Sequence, residues 1–165
     1  MAVASQRREQ GRGRLVEHQV VVGRRVQLGQ IRRDVAADRL GHEQVGLVEH
    51  TFIKGSHASP DGYVSGAGLI EIKAPMPAAH LNTLLTKTIS EAHVVQMQWQ
   101  MSCSGRNWCD YISFSSDFPP AMQLWIKRVE RDPRFIGELE SEITQFIREL
   151  EAKIAKLSRE YAVAA

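Results

Sequence analysis

The sequence lacks several features that mark whole classes of protein. No apolar run in its 165 residues approaches the roughly 20 residues that a membrane-spanning helix needs. The first residues also lack the apolar core of a signal peptide. Cysteine is scarce, because Cys103 and Cys109 are too few for a disulfide framework or a four-thiolate metal site. These absences predict a cytoplasmic protein in a reducing compartment, without a membrane partner.

The sequence also has almost no excess of one charge sign, since the formal net charge is only +2. A net charge this small does not by itself indicate a nucleic-acid partner, so any claim of DNA binding has to come from a site. The length suits one domain with one hydrophobic core and makes a second domain unnecessary.

Residues 1–44 contain no lysine and no Phe, Tyr or Trp, but they hold nine arginines. The first aromatic residue of the chain is Phe52. This change in composition predicts an atypical Arg-rich segment over 1–44 and the folded core over 45–165. Three interpretations of the segment stay open: a basic arm that contacts phosphate, a poorly ordered stretch, or sequence foreign to the rest of the chain.

From residue 45 on, the pattern predicts strand, strand, helix, helix, strand, strand and a long helix. The predicted strands cover residues 45–53, 69–75, 107–115 and 122–130, and the predicted helices cover 78–87 and 91–105, with a third that begins at Asp132-Pro133. The stretch 56–68 is rich in turn-forming residues and is interpreted as a link. This order predicts an α/β fold in which helices flank a mixed sheet.

The segment SPDGYVSGAGLIEIKAP carries the residues suited to chemistry. Asp61 lies in a turn, while Glu71 and Lys73 are two apart on one strand and therefore share a face. Paired carboxylates suit Mg²⁺ or Mn²⁺, and the backbone carbonyl of Ile72 is a candidate third ligand. Lys73 can orient or deprotonate an attacking water beside the metal. A bare E-x-K is common, but its position in an apolar strand after a Pro-Asp-Gly turn is much rarer.

These motifs resemble the active-site signature of the PD-(D/E)XK nucleases. The stretches HVVQMQWQM, GRNWCDYISF and LWIKRVERD narrow the resemblance to the YqaJ-type viral recombinases, which are similar to lambda exonuclease. The resemblance covers about residues 45–160. It implies a restriction-endonuclease-like fold, bound Mg²⁺ ions and 5′→3′ resection of linear duplex DNA, which leaves 3′ single-stranded tails for an annealing protein. It also implies a homo-oligomer, often a ring around DNA.

Residue by residue, the resemblance makes Asp61 and Glu71 metal ligands and Lys73 the catalytic lysine. Gln96 matches the motif glutamine on the next helix, where it orients Lys73 or the scissile phosphate. His93 stands where the family usually has tyrosine. The family's N-terminal helical part has no counterpart in residues 1–44, so Glu43 is not assigned as a further acidic ligand.

Four residues are candidates for DNA contact: His93, Arg106, Lys127 and Arg128. Each has a competing structural interpretation: His93 as a polar residue that borders the core, Arg106 as a partner of the helix C-terminus, and Lys127 and Arg128 as part of a mixed solvated face in which acidic residues interleave. The sequence thus predicts an Mg²⁺-dependent DNA exonuclease of phage-type recombination. Two alternatives stay open: a prophage remnant that keeps the core fold without cutting, and a PD-(D/E)XK endonuclease or resolvase.

Overall fold

The computed structural model describes Glu43 and residues 45–161. In this range the chain forms a mixed β-sheet with helices packed on it, which confirms the predicted α/β class. In chain order, the elements are β1 (Val48–Glu49), β2 (His57–Ala58), β3 (Gly62–Val64), β4 (Gly68–Lys73), α1 (Pro77–Thr86), α2 (Glu91–Ser104), β5 (Trp108–Phe114), a 3-10 turn (Pro120–Met122), β6 (Leu124–Glu130) and α3 (Pro133–Glu160).

The main sheet has the strand order β3-β4-β5-β6. Its central pair, β4 and β5, is parallel, whereas β3 and β6 run antiparallel to their neighbours. Two parallel strands need a long crossover, and α1 and α2 together supply it. β4 is buried from Gly68 to Ile72 and lies between β3 and β5 in the sheet. This burial places Glu71 inside the protein rather than on its surface.

The two faces of this sheet differ in what they carry, because successive side chains of a strand point to opposite faces. One face packs against α2 and α3 through a core of Leu69, Met97, Met101, Cys109, Tyr111 and Ile136. The other face holds the apolar cluster of Ile70, Ile72, Ile112 and Phe114. Glu71 and Lys73 follow Leu69 at intervals of two, so they belong to the face that α2 covers.

The first predicted strand is much shorter than the sequence indicated. Of residues 45–53, only Val48 and Glu49 pair with β2, in a small separate sheet. The ring nitrogen Nδ1 of His50 accepts hydrogen bonds from the backbone N–H groups of Phe52 and Ile53, which turns the chain back. Conversely, β3 forms within the stretch interpreted as a link.

Each helix end has a local cause. Pro133 begins α3, and the carboxylate of Asp132 accepts hydrogen bonds from the N–H groups of Arg134 and Phe135. Gly105 ends α2 in the left-handed conformation, with a φ of 68°. The helix boundaries predicted from these residues are therefore confirmed to within a residue or two.

Neither cysteine is exposed. Cys103 and Cys109 are free thiols in the core, and burial raises the pKa of Cys103 to about 11 and that of Cys109 far above its ordinary range. None of the helices in the described part of the chain has both the length and the apolar content needed to cross a membrane.

Candidate active site

The β3–β4 hairpin brings Asp61 next to Glu71. Gly62 pairs with Ile70 in this antiparallel hairpin, so the preceding residue, Asp61, falls opposite Glu71. Asp61 also contacts the strand that carries Glu71, because its Oδ2 accepts a hydrogen bond of 2.6 Å from the backbone N–H of Ile72. The ten-residue separation between the two acids is therefore the length of a tight hairpin, which places the two residues across from each other.

Glu71 is buried, with only 2% of its surface exposed. A buried carboxylate needs charge-assisted partners to offset the loss of water. The Lys73 ammonium donates to Glu71 Oε1, and its side chain is 23% exposed, so one end of this ion pair reaches solvent. The two residues predicted from the E-x-K pattern thus form one unit on the face beneath α2.

Helix α2 supplies the other partners. The Gln96 amide donates from Nε2 to Glu71 Oε1 at 2.9 Å, and its Oε1 accepts from Lys73 Nζ at 3.1 Å. One turn later, Gln100 donates from Nε2 to Glu71 Oε2 at 2.6 Å. Residues four apart on a helix share a face, so both glutamines point to the same carboxylate. The geometry brings together Asp61, Glu71, Lys73 and Gln96, as predicted, and adds Gln100.

His93 lies one turn before Gln96 on the same face of α2. Its ring is 5.4 Å from that of Tyr111, between centroids, and its buried Nδ1 has no hydrogen-bond partner among the described residues. Burial lowers the pKa of His93, and the positive charge of Lys73 lowers it further, against an opposing effect of Glu71. At neutral pH the ring is therefore uncharged, with one nitrogen available as donor or acceptor depending on the tautomer.

Tyr111 is a further member that the sequence analysis missed. It lies directly beside Glu71 on the neighbouring strand, it is 4% exposed, and burial together with the Glu71 charge raises the pKa of its hydroxyl. Its neutral ring forms the floor of the site. The signal for Gln100 was present in the sequence as its spacing of four from Gln96, whereas Tyr111 could be found only from the strand register.

Of the basic candidates, Lys127 shares the face of the site. It is directly opposite Tyr111, which is opposite Glu71, so all three side chains point to one side of the sheet. Its ammonium donates to the backbone carbonyl of Lys87 at 3.3 Å, in the connection between α1 and α2. Lys127 is exposed, and its contact with DNA stays a prediction.

Arg106 and Arg128 lie away from this cluster. The guanidinium of Arg106 stacks over Tyr63 at 4.0 Å and donates to the Ser65 carbonyl at 2.8 Å. These contacts lie near the N-terminal end of β4, whereas Lys73 lies at its C-terminal end. Arg128 forms two hydrogen bonds of 2.8 and 2.9 Å with Asp110. It belongs to the other face of the sheet, since Asp110 alternates with Tyr111. DNA contact by either arginine is a prediction that this geometry does not test.

Glu43, the residue left unassigned from the sequence, pairs with β3. Its backbone N–H and carbonyl exchange hydrogen bonds of 3.0 and 2.8 Å with Tyr63, two residues after Asp61. Its side chain is exposed. The chain therefore reaches the active-site hairpin from residue 43, ahead of the predicted core boundary at 45.

The donors at this site fit a hard divalent cation. They comprise two neighbouring carboxylates, of Asp61 and Glu71, and the Ile72 peptide, whose carbonyl lies on the same strand edge as the N–H that meets Asp61. Oxygen donors of this kind suit Mg²⁺ or Mn²⁺, which keep several water ligands. Among the described residues, no group of three or more His, Cys, Asp and Glu side chains is placed to hold a metal.

The family comparison matches this region. Residues 28–107 match the model of the YqaJ-like viral recombinase domain, a range that includes Asp61, Glu71, Lys73 and Gln96. The match begins 17 residues before the predicted core boundary, and the division of the chain at residue 44 stays a prediction. No curated protein sequence matches the chain.

Three solved exonuclease structures are also similar to this chain. The alkaline exonuclease LHK-Exo from Laribacter hongkongensis is 40% identical, with a TM-score of 0.78 over 85% of this chain and 75% of that one. Its complex with dAMP gives 41% identity and a TM-score of 0.77 over 84% and 74% of the two chains. A phage-related exonuclease from Haemophilus somnus 129PT, at 15% identity, shares the fold, with a TM-score of 0.55 over 76% and 69%.

Proposed function

The chain belongs to the YqaJ-like viral recombinase family, and from this premise we propose that it is an Mg²⁺-dependent exonuclease that acts on the ends of duplex DNA. The observation that carries the proposal is the cluster of Asp61, Glu71, Lys73 and Gln96, held together by hydrogen bonds of side chains distant in sequence. The 40% identity to an alkaline exonuclease over most of both chains supports the same reaction class.

Each residue of the site would have a separate role in phosphodiester hydrolysis. Asp61, Glu71 and the Ile72 carbonyl would hold the cation, which when bound lowers the pKa of a water ligand and neutralises charge on the scissile phosphate. The Lys73 ammonium holds the attacking water in place and offsets the negative charge that grows on the phosphate oxygens. Gln96 keeps Lys73 directed at the site, because its carbonyl oxygen accepts from Nζ while its amide donates to Glu71. Tyr111, beside Glu71 on the next strand, and Met97, next to Gln96 on α2, belong to the buried core.

Digestion of duplex DNA of defined end structure tests the proposal. With Mg²⁺, the protein is expected to release nucleotides from linear duplex and to leave closed circles intact. The Lys73→Ala variant should be at least about 10²-fold slower, the usual effect of removing one group that acts in the transition state. Lys54→Ala is the matched control, because Lys54 is an exposed lysine in the β1–β2 turn and its loss changes the net charge equally.

The outcomes separate the alternatives. Cleavage of closed circles favours an endonuclease or resolvase, and a folded protein that binds Mg²⁺ without cutting is the inactive remnant. Strands labelled at the 5′ or the 3′ end report polarity. Release of the 5′ label first, with a surviving 3′ single-stranded tail, supports the polarity that the resemblance implies. The proposal further includes a role in phage-type recombination in the cytoplasm, with a single-strand annealing protein as partner.

The outer half of α3 supports a further part of the proposal, that the protein is a homo-oligomer. Phe146, Leu150, Ile154 and Leu157 are 62%, 43%, 52% and 52% exposed, although they form one apolar stripe. Ile147, Leu150, Ile154 and Leu157 follow the alternating three- and four-residue spacing of a helix that packs against another helix, with isoleucine and leucine in alternate positions. An exposed stripe of this kind is a typical subunit contact.

The oligomer is tested by light scattering after size-exclusion chromatography. Wild type is expected to elute as a multimer, and Ile154→Lys should reduce its mass by placing a charge within the stripe. Ala155→Lys is the control, because Ala155 is also exposed but lies outside the apolar stripe. A monomeric wild type at tens of micromolar contradicts the oligomer, and the ring-shaped arrangement implied by the resemblance needs its own structure.

A further inference from the structure

Gln100 is the most deeply buried partner of the Glu71 carboxylate. It is 2% exposed, and its Nε2 lies 2.6 Å from Glu71 Oε2. Gln96, one turn earlier, donates to the other oxygen, Oε1, and is itself exposed. The two amides therefore hold one oxygen each, and together they fix the plane of the carboxylate. Unlike Gln96, Gln100 makes no contact with Lys73 in the hydrogen bonds of the site.

The carbonyl oxygen of the Gln100 amide lies in an unfavourable environment. Its Oε1 is buried and has no hydrogen-bond partner among the residues that the structure describes. A buried carbonyl without a donor loses its hydration and gains nothing in return. Turning the amide over would not help, because the carbonyl would then face the Glu71 carboxylate and set two acceptors against each other. The orientation of Gln100 is thus imposed by Glu71.

Packing alone does not explain this residue. Met97 and Met101, the neighbours of Gln100 along α2, are both fully buried and fill the same core with apolar side chains of similar length. A methionine at position 100 would fill the same space and leave no carbonyl without a donor. A polar residue kept in such a place at the expense of stability is a sign of a functional constraint.

We propose that Gln100 is a positioning residue that orients Glu71 for binding of the divalent cation. The proposal rests on the proposed function, since it assigns Glu71 as a metal ligand. By holding Oε2 from the protein side, Gln100 restricts rotation of the carboxylate and so fixes the orientation in which Glu71 can meet a cation. Groups that hold a metal ligand from behind in this way commonly change metal affinity by 10- to 100-fold, as an order of magnitude.

Gln98 offers a matched control on the same helix. It is 3% exposed, as deeply buried as Gln100, and both ends of its amide are satisfied: Nε2 donates to the Glu130 carbonyl at 2.8 Å and Oε1 accepts from the Asp132 N–H at 2.9 Å. These contacts join α2 to the start of α3, away from Glu71. Gln100→Met and Gln98→Met therefore make the same chemical change at similar burial. The first removes the amide behind Glu71, and the second removes an amide at the junction of α2 and α3.

The experiment measures Mn²⁺ binding by titration calorimetry without DNA, together with urea unfolding of the metal-free protein. Gln100→Met is expected to weaken Mn²⁺ affinity by about 10-fold or more while its urea midpoint stays equal to or above that of wild type. Gln98→Met should lower the urea midpoint and keep the Mn²⁺ affinity within about two-fold. Gln100→Asn, which keeps the amide but withdraws it by one methylene, should also weaken binding, and it replaces the methionine variant if that does not fold.

Hydrolysis adds a second measure. The Mg²⁺ concentration for half-maximal rate should rise in Gln100→Met by about the same factor as the loss of Mn²⁺ affinity, with a smaller change in the rate at saturating Mg²⁺. Unchanged Mn²⁺ affinity in Gln100→Met, or an equal loss in Gln98→Met, overturns the positioning role and leaves the exonuclease proposal intact. A wild type that binds no Mn²⁺ overturns both. If the wild type binds Mn²⁺ and Gln100→Met weakens it, the role stands even where DNA is not cut.

Discussion

Helix α2 takes part in two polar clusters, and they are built differently. Near its middle, Gln96 and Gln100 hold the buried carboxylate of Glu71. At its C-terminal half, Ser102 donates to the carboxylate of Glu140 on α3 at 2.6 Å, and His50 contacts the same oxygen at 3.3 Å. Each cluster joins α2 to another element through a glutamate, and the comparison shows which arrangement serves the fold and which serves chemistry.

The cluster around Glu140 satisfies the groups that it buries. Nδ1 of His50 accepts from two backbone N–H groups while Nε2 meets Ser102 and Glu140, and its ring stacks on Trp99 with centroids 5.1 Å apart. The Glu140 side chain is 38% exposed and partly solvated. Such a network fixes the β1–β2 turn against α2 and leaves no ring nitrogen for another task.

The cluster around Glu71 is less complete despite deeper burial. Gln100 Oε1 and His93 Nδ1 have no partners among the described residues, and the only cation is the partly exposed Lys73. Residues arranged for a reaction commonly lower stability, because their partners are chosen for the substrate or metal. Substitutions in the cluster around Glu71 should therefore lower activity more than stability, whereas substitutions in the cluster around Glu140 should lower stability more than activity.

The largest expected effect is that of Glu71→Gln. It removes a metal ligand, so hydrolysis of linear DNA should fall by about 10³-fold or more. The free energy of unfolding should change by no more than about 1 kcal/mol, because the buried charge disappears while Lys73 keeps Gln96 and reaches solvent. Nuclease assay and urea unfolding of the same preparation check both parts. A loss of several kcal/mol in stability would show that this cluster, too, holds the fold together.

The next effect is that of His50→Ala, on stability. The substitution leaves two backbone N–H groups without their acceptor and removes the ring stacked on Trp99, so the free energy of unfolding should fall by about 2–3 kcal/mol. His57→Ala is the control, because His57 is exposed on β2 and its loss should change stability by less than about 0.5 kcal/mol. Hydrolysis per folded molecule should stay within about two-fold of wild type. A selective loss of Mn²⁺ binding in His50→Ala would assign this cluster to the active site.

The two clusters also differ in how far the sequence predicts them. Asp61, Glu71 and Lys73 lie within 13 residues on one hairpin, and a turn signal plus strand alternation is enough to bring them together. His50, Ser102 and Glu140 are separated by 52 and 38 residues, and their meeting depends on how α2 and α3 pack, which no local pattern indicates.

The positions of the basic residues relative to the site also depend on contacts between elements that are distant in sequence. Arg128 is adjacent to Lys127 in sequence, but its direct neighbour across the strands is Asp110, on the face away from Glu71. Alternation along the strand places the two side chains on opposite faces, and only the strand register decides which of them shares the face of Glu71. The helices and main strands were predictable because their periods and end signals are local, whereas β3 has three residues within a turn-rich stretch, too few to show alternation.

The smallest effect concerns the pH dependence of the Glu140 cluster. The hydrogen bond from Ser102 and, next to it, the contact with His50 hold the pKa of Glu140 below its ordinary value of 4.5, while burial opposes them. A carboxyl group with a lowered folded pKa adds stability above its unfolded pKa, and this contribution is lost as the pH falls through the folded pKa. The contribution is below about 1 kcal/mol, because the side chain is partly exposed and solvent screens it.

Ser102→Ala removes the principal cause of that shift. Its free energy of unfolding should be lower than that of wild type at pH 7, and the difference should narrow as the pH is taken below 4.5. Ser104→Ala is the matched control, since the Ser104 hydroxyl donates to the backbone carbonyl of Gln100 and no ionisable partner is lost. Its effect should be independent of pH. If both variants show the same pH dependence, Glu140 is not stabilised through Ser102, and the cluster around Glu140 is stabilised through the contacts of His50 instead.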